Sequence, residues 1–146
     1  MMERGRDRLA YLLDASVIAE LSRPNGNRRV FTLFQERQSR CALAAPTVYG
    51  LLRGVDSLIS GPRRALLSAF LQELLRSGPP VLAYDGPAAV WLARESQRRR
   101  RDFARWAAIE SELAAIAATR DLTLVTRSPQ TYAGTEGLKL EDWFRP

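Results

Sequence analysis

A carboxylate stands where a short apolar run gives way to a helical pattern. The run Tyr11–Leu13 ends at Asp14, and Val17, Ile18 and Leu21 then recur at helical spacing. In open α/β sheets, ligands bind outside the carboxyl ends of the strands, so Asp14 is a candidate for the first acid of a site. Aspartate is also a good helix N-cap, and the local spacing fits either role.

The residue types that are absent restrict the chemistry of such a site. The sequence has no histidine and one cysteine, Cys41. Ser-His-Asp and Cys-His nucleophiles, histidine-ligated zinc, a cysteine zinc cluster and a disulfide framework are therefore excluded. Carboxylates remain as the acidic groups, and the metals that suit them are hard cations such as Mg²⁺ or Mn²⁺.

A second group of acids lies far along the chain in an alanine-rich pattern. Residues 105–119 predict a helix that can bring Glu110 or Glu112 near Asp14. Mg²⁺ is commonly held by one or two carboxylates with waters and substrate phosphates, so Asp14 and Glu110 form a minimal candidate metal site. A glutamate in the first turns of a helix also interacts favourably with the helix dipole, which is the alternative role of Glu110.

The charge balance is basic. The sequence has 22 Lys and Arg against 16 Asp and Glu, a net charge of +6, and all of these cations except Lys139 are arginine. A basic domain attracts polyanions such as nucleic acids, although an arginine bias can also reflect genome composition. The candidate phosphate-binding residues are Arg98, Arg99, Arg100, Arg101 and Arg127, and the alternative for the run at 98–101 is a solvated surface.

Strand and helix patterns alternate along the chain. Apolar runs predict strands at 11–13, 41–44, 81–84, 122–126 and 138–140. Helical periodicity follows Asp14 and covers 28–40, 47–59, the Leu-rich stretch 66–75, 87–98 and 105–119. Strands that alternate with helices indicate a three-layer α/β/α fold with a central parallel sheet of four to five strands.

The chain has the length of one ordinary domain, 146 residues, and we expect a single domain over 1–146 with a flexible basic N-terminus at 1–8. No apolar run approaches the roughly 20 residues of a membrane span. The basic start is followed by an apolar run that Asp14 interrupts, which argues against a signal peptide. These features favour the cytoplasm and no membrane association.

Several side chains have structural interpretations beside functional ones. Asp85 precedes Pro87 and is predicted to cap a helix. Two sets of apolar residues lie on predicted helices, one with Leu66, Phe70, Leu71 and Leu74 and the other with Phe31 and Phe34. Each set could form a dimer face, a groove for a partner protein or part of the core.

Five segments together resemble PIN-domain proteins of the VapC type, the toxin half of bacterial toxin–antitoxin pairs, and the related FitB branch. The resemblance depends on their order and spacing over nearly the whole length. The segments are Leu12 to Leu21, the stretch Thr47-Val48-Tyr49-Gly50-Leu51-Leu52-Arg53-Gly54-Val55, Val81 to Asp85, Glu110 to Ala115, and Leu122 to Arg127.

The resemblance implies a PIN-like α/β/α fold and an acid cluster that binds Mg²⁺ or Mn²⁺ for cleavage of RNA phosphodiester bonds. It also implies a small antitoxin protein as partner and a homodimer. The FitB branch leaves open a role in transcriptional regulation with a DNA-binding partner.

When the acid positions of the resembled family are matched to this sequence, only part of the acid cluster is present. The first acid is Asp14, with Ser16 at the small polar position beside it. Where the family has Thr-x-x-Glu-Leu, Gly50 occupies the glutamate position. Glu110 occupies a position where the family usually has aspartate. In the last motif, Thr126-Arg127-Ser128-Pro129-Gln130-Thr131 has Ser128 in place of an asparagine and Thr131 in place of the acid.

Two functional hypotheses follow. In the first, the chain is a VapC-like ribonuclease that uses Asp14 and Glu110, with Ser16, Thr126 and Ser128 as supporting polar groups and with weakened metal affinity. In the second, the loss of acids at Gly50 and Thr131 has abolished catalysis, and the PIN fold binds RNA or a protein. The content of the acid cluster favours the second, and the family resemblance favours the first.

Overall fold

A five-stranded parallel sheet forms the centre of the computed structural model, which describes residues 8–99 and 106–146. The strand order is β3-β2-β1-β4-β5, and every neighbouring pair is parallel. The predicted fold class is therefore confirmed. The strands are β1 Tyr11–Leu13, β2 Cys41–Ala44, β3 Val81–Leu82, β4 Thr123–Val125 and β5 Lys139–Glu141.

Six helices of the described ranges connect these strands, close to the positions that the periodicity predicts. None of the described helices is long and apolar enough to cross a membrane. The helices are α1 Ala15–Leu21, α2 Arg28–Arg37, α3 Ala45–Ser57, α4 Pro62–Ser77, α5 Gly86–Arg99 and α6 Ala108–Thr119, with short 3₁₀ turns at Gln38–Arg40 and Pro129–Tyr132.

Neighbouring residues of each central strand point to opposite faces of the sheet, and both faces are covered. Leu12 of β1 packs with α5 and α6, whereas Leu13 packs with α1 to α4. Leu124 and Val125 of β4 divide in the same way. Sheets covered on both faces have strands that are continuously apolar, which explains why these runs do not alternate with polar residues.

The third strand is shorter than predicted because the chain turns into α5 after Leu82. Asp85 accepts a hydrogen bond from the backbone N–H of Ala88 at 3.1 Å, as a helix cap does, and it pairs with Arg120 at 3.1 Å. The predicted capping role of Asp85 is therefore confirmed.

The apolar residues of α4 differ in exposure, since Leu71 and Leu74 are buried in the core whereas Leu66 is half exposed.

The order of the sheet reverses at β1, which lies between β2 and β4. The N–H of Asp14 donates to the carbonyl of Val125 at 3.1 Å, so the carboxyl ends of β1 and β4 are tied together. A ligand site in an open parallel sheet is expected at such a switch point, where the connections from the two central strands diverge. The fold thus positions Asp14 at this switch point.

Candidate functional site

Asp14 caps α1 with one carboxylate oxygen and leaves the other unused. Its Oδ1 accepts from the N–H of Ser16 at 2.9 Å, from the N–H of Val17 at 3.2 Å and from the Ser16 hydroxyl. No hydrogen bond to Oδ2 occurs within the described ranges. The capping interpretation is correct, and it leaves Oδ2 available for a ligand.

Ser16 fixes the orientation of this carboxylate. Its hydroxyl donates to Asp14 Oδ1 and accepts from the backbone N–H of Arg127 at 3.1 Å. A side chain from the start of α1 is thereby joined to the segment that follows β4. Ser16 therefore holds the predicted first acid in place through two elements that are distant in sequence.

A cleft of about 420 Å³ opens beside Asp14 at the carboxyl edge of the sheet. Glu110, from the first turn of α6, lines the same cleft, so the fold brings the two predicted acids to one place. Serine and threonine hydroxyls lie among the largely apolar side chains of the remaining wall. They are Ser16, Thr47, Thr126, Ser128 and Thr131, and they include all three predicted supporting positions.

The wall formed by the segment after β4 is held by its own hydrogen bonds. The buried hydroxyl of Thr126 accepts from the N–H of Ser128 at 3.1 Å, and the N–H of Thr131 donates to the carbonyl of Ser128 at 3.0 Å. Ser128 and Thr131, which replace an asparagine and an acid of the resembled family, thus remain at the cleft. They contribute neutral oxygens and no charge.

Thr47 is a site residue that the sequence analysis did not single out. Its side chain is 1% exposed, and its hydroxyl has no hydrogen-bond partner among the described residues. Buried hydroxyls almost always have a partner, since an unmade bond costs about 1–3 kcal/mol. Because Thr47 lines the cleft, its hydroxyl is suited to a polar ligand there. The Thr-x-x-Glu motif was the available signal.

Tyr132 is the second residue that was missed. Its side chain is buried against the ring of Trp106, with ring centroids 6.1 Å apart. Burial raises the pKa of the Tyr132 phenol far above its ordinary value, and the negative charges of Asp14 and Glu110 raise it further. The phenol therefore stays protonated in the field of both acids, as an O–H donor at the cleft. Its position directly after Thr131 was the only signal in the sequence.

Ile109 occupies the space beside Gly50, where the resembled family has a glutamate. A Cβ atom on Gly50 would lie 3.0 Å from Ile109 Cδ1, which is tighter than an ordinary carbon contact. The side chain of Ile109 lines the cleft next to Glu110. An apolar contact between α3 and α6 has thus taken the place of the expected carboxylate.

The donor set fits a hard divalent cation with little ligand charge. All polar side chains of the cleft present oxygen, which suits Mg²⁺ or Mn²⁺, and Asp14 Oδ2 and the Thr47 hydroxyl both lack partners in the described chain. Within residues 8–99 and 106–146, however, no three Asp, Glu, His or Cys side chains come together as a metal cluster. The site offers two carboxylates, as the sequence indicated.

The predicted nucleic-acid arginines of α5 make contacts within the chain. Arg98 pairs with the buried Glu95, and Arg99 lies over the ring of Trp106 at 4.3 Å and donates to Thr135 at 3.0 Å. These contacts attach the end of α5 to the loop at 133–136. Arg100 and Arg101 lie outside the described residues.

Arg127 lies beside the cleft rather than in it. Its guanidinium is 4.2 Å from the centroid of the Phe144 ring and 3.6 Å from the carboxylate of the buried Glu20. Glu20 also accepts from the N–H of Asn27 at 2.7 Å. Half of the Arg127 side chain is exposed, so it can still meet an anion that extends from the cleft.

Cys41 is buried in β2, where its thiol donates to the carbonyl of Arg37 at 3.3 Å. Burial raises the pKa of this thiol to about 12, and the nearby charges of Arg37 and Arg40 only partly oppose that effect. The thiol is therefore a structural group and takes no part in the site.

Comparison with solved structures identifies the fold. No protein-family model matches the sequence, and no curated relative does. The chain is similar to FitAcB from Neisseria gonorrhoeae, with a TM-score of 0.78 at 26% identity over 93% of this chain and 99% of that one. It is also similar to DNA-bound VapBC from Salmonella typhimurium, with a TM-score of 0.77 at 21% identity over 92% and 98%.

A third similar structure is VapBC-5 from Mycobacterium tuberculosis, with a TM-score of 0.64 at 23% identity over 91% of this chain and 98% of that one. All three likenesses extend over nearly the whole chain. The molecule therefore has a VapC-like PIN-domain fold, as the order of its sequence segments indicated.

Proposed function

We propose that this chain, which has the VapC-like PIN-domain fold, is the toxin component of a toxin–antitoxin pair and cleaves RNA with a divalent metal ion. The observation behind the proposal is that Asp14 and Glu110 line one cleft at the switch point of the sheet. These two carboxylates would hold Mg²⁺ or Mn²⁺. A hard cation in such a site activates water and offsets charge on a phosphate under attack.

The residues of the chain have distinct roles in this proposal. Asp14 binds through Oδ2 while Ser16 and the start of α1 hold Oδ1. The buried phenol of Tyr132 stays protonated and can donate to a phosphate oxygen. The hydroxyls of Thr47, Thr126 and Ser128 would hold the water around such an ion without adding charge.

Metal affinity is expected to be low. Mg²⁺ gives up its hydration water reluctantly, and carboxylate charge is what compensates for that loss. The cleft has lost the acids that the resembled family has at Gly50 and Thr131. We therefore expect Mn²⁺ to bind more weakly than micromolar and cleavage to require millimolar metal.

The proposed partners follow from the charge and the relatives. The net charge of +6 favours RNA as the polyanionic substrate. VapBC from Salmonella typhimurium and FitAB were both determined in complex with DNA, and FitAcB is similar over 99% of its length. We infer a small antitoxin protein as partner, through which such a pair would contact DNA, and a homodimer as the assembly of this chain.

A catalytically inactive binding module is the second candidate. It is favoured by the contact between Ile109 and Gly50, which fills the position of one acid with a hydrocarbon side chain. In that case the fold binds RNA or a protein partner without cutting RNA. The two candidates differ only in whether the cleft holds a metal ion tightly enough to act.

A metal titration and a cleavage assay separate them. Calorimetry with Mn²⁺ is run on the wild type, Asp14→Asn and Glu110→Gln, and cleavage of a structured RNA is followed at 10 mM Mn²⁺, a concentration about 10⁴-fold above micromolar that suits a weak site. Cleavage that both substitutions abolish supports the ribonuclease. Cleavage that persists in Asp14→Asn would contradict the role of Asp14 as a metal ligand, whereas RNA binding without cleavage supports the module.

A further inference from the structure

A second groove of about 520 Å³ adjoins the acid cleft, and the side chain of Ile109 lines both. The groove runs between the start of α3, the segment after β3 and the start of α6. Its walls are mainly apolar, and they include Pro46 and Ala83. The polar groups that border it are two phenols and one carboxylate, from Tyr49, Tyr84 and Glu112.

Tyr49 presents aromatic surface that the fold does not use, and Tyr84 borders the groove beside it. Tyr49 is 62% exposed, which is unusual for so large a ring, and Tyr84 is half buried against the core. Neither phenol makes a hydrogen bond within the described part of the chain. Exposed aromatic rings beside a charged cleft are the usual platform for stacking of single-stranded bases.

Glu112 is a half-buried carboxylate in a strongly basic protein, and it has no arginine partner among residues 8–99 and 106–146. It makes no hydrogen bond there either. Desolvation raises the pKa of the Tyr84 phenol, and the charge of Glu112 raises it further. Tyr84 therefore remains a donor, while Glu112 is an acceptor without a partner in the chain.

We propose that this groove is a nucleobase subsite that selects guanine on the RNA strand whose phosphate lies in the acid cleft. Tyr49 stacks on the base, and Glu112 accepts from its Watson–Crick edge. Guanine fits because it presents two adjacent N–H donors to a carboxylate, whereas the other bases present one amino or imino donor group. The proposal rests on RNA as the substrate of the proposed function but does not require cleavage.

The position of the groove supports this assignment over a general phosphate-binding role. A carboxylate at its edge repels phosphates, so the groove suits the uncharged part of a nucleotide. The acid cleft on the other side of Ile109 is where the phosphate would meet metal and hydroxyl groups. The two openings are therefore complementary in chemistry as well as adjacent.

Binding of short RNAs without metal tests the subsite apart from catalysis. Fluorescence anisotropy in EDTA compares labelled hexauridylate with the same oligonucleotide carrying one central guanosine. We expect the guanosine oligonucleotide to bind about tenfold more tightly to the wild type. Tyr49→Ala should weaken binding of both about tenfold, and Tyr49→Phe should preserve it because the stacking face remains.

Glu112→Gln should remove the guanosine preference, because an amide cannot accept from both donors. The ratio of the two affinities is the readout, since loss of a negative charge raises affinity for any RNA. Leu52→Ala, which truncates an exposed side chain on the same helix, is the control for Tyr49→Ala. Glu36→Gln, at an exposed carboxylate on α2, is the control for Glu112→Gln. Leu52→Ala should bind both oligonucleotides as the wild type does, and Glu36→Gln should raise both affinities without changing their ratio.

The outcomes separate the subsite from the proposed function. If RNA binds but Tyr49→Ala leaves both affinities unchanged, or the wild type shows no guanosine preference, the subsite is overturned and the ribonuclease is not. If neither oligonucleotide binds to the wild type in EDTA, the subsite is overturned, and the cleavage assay at 10 mM Mn²⁺ decides the ribonuclease separately. If Tyr49→Ala instead converts a dimer to a monomer in light scattering, with RNA binding intact, the groove is covered by a second copy and the subsite is overturned.

Discussion

Restoring the carboxylate at Gly50 should restore metal affinity only if Ile109 makes room for it. A Cβ atom on residue 50 would meet Ile109 Cδ1 at 3.0 Å, so that methyl group must shift by a few tenths of an ångström. The Ile109→Val substitution deletes the Cδ1 atom itself at a cost of about 0.5–1.5 kcal/mol. We therefore expect the double variant Gly50→Glu/Ile109→Val to bind Mn²⁺ more tightly than Gly50→Glu alone.

The expected gain follows from the charge of the cleft. A carboxylate about 4 Å from a divalent cation gains roughly 8 kcal/mol at an effective dielectric constant of about 20. Desolvation of both ions cancels most of this gain. If about 1.4 kcal/mol remains, the dissociation constant for Mn²⁺ falls about tenfold. Calorimetry measures that change directly, and an RNA-cleavage assay at limiting Mn²⁺ should change in parallel.

Gly54 supplies a matched control on the same helix. A Cβ atom there meets nothing within 4 Å, so Gly54→Glu adds the same charge and the same helix propensity in open space. Gly54→Glu/Ile109→Val should bind Mn²⁺ as the wild type does. Equal affinity of the two double variants would refute the idea that position 50 faces the metal site, whatever their stability.

The remaining predictions test the cap, the buried thiol and the α5 arginines. Asp14→Ala should lower the free energy of unfolding in urea by about 1 kcal/mol, whereas Asp14→Asn should preserve the cap. Both variants should lose Mn²⁺ binding. Equal unfolding free energies of the two variants would contradict the capping geometry. Cys41, the only thiol, should react with Ellman's reagent at pH 8 only after unfolding, because a pKa of about 12 leaves almost no thiolate. Rapid reaction of the native protein would contradict the burial of this thiol. Arg98→Ala should lower the urea midpoint, because it leaves the buried Glu95 unpaired, while Arg94→Ala at an exposed position should not. If instead the two variants unfold alike and only Arg98→Ala loses RNA affinity, Arg98 acts in RNA binding as the charge run predicted.

The order of elements and the position of Asp14 could be predicted because both depend on local patterns. Apolar runs of three or four residues such as Cys41–Ala44 are long enough for a buried strand, and the helices between them have clear periodicity. Alternation of the two then restricts the topology to a parallel sheet with right-handed connections. The position of the cleft could also be predicted, because parallel strands end at one edge of the sheet and Asp14 directly follows the central strand β1.

What could not be predicted are contacts between residues far apart in sequence. Arg99 lies over Trp106 and also donates to Thr135, and no pattern in the charge run distinguishes this from a solvated surface. The missing partner of the Thr47 hydroxyl is likewise a property of burial, since a threonine at the start of a helix is ordinarily exposed or capped. These features depend on which side chains the fold brings together.

The contact between Gly50 and Ile109 links the reduced acid cluster to the groove beside it. A glutamate at position 50 would require the Ile109 side chain to shift by a few tenths of an ångström, and it would place negative charge beside the wall between the cleft and the groove. With glycine and isoleucine there, that wall is hydrocarbon, which suits an aromatic base and deprives a metal ion of a ligand. The missing acid and the proposed nucleobase surface therefore both depend on the contact between Gly50 and Ile109. Gly50→Glu/Ile109→Val should accordingly tighten Mn²⁺ binding while it weakens RNA binding in EDTA, because the added charge repels phosphate when no metal is present.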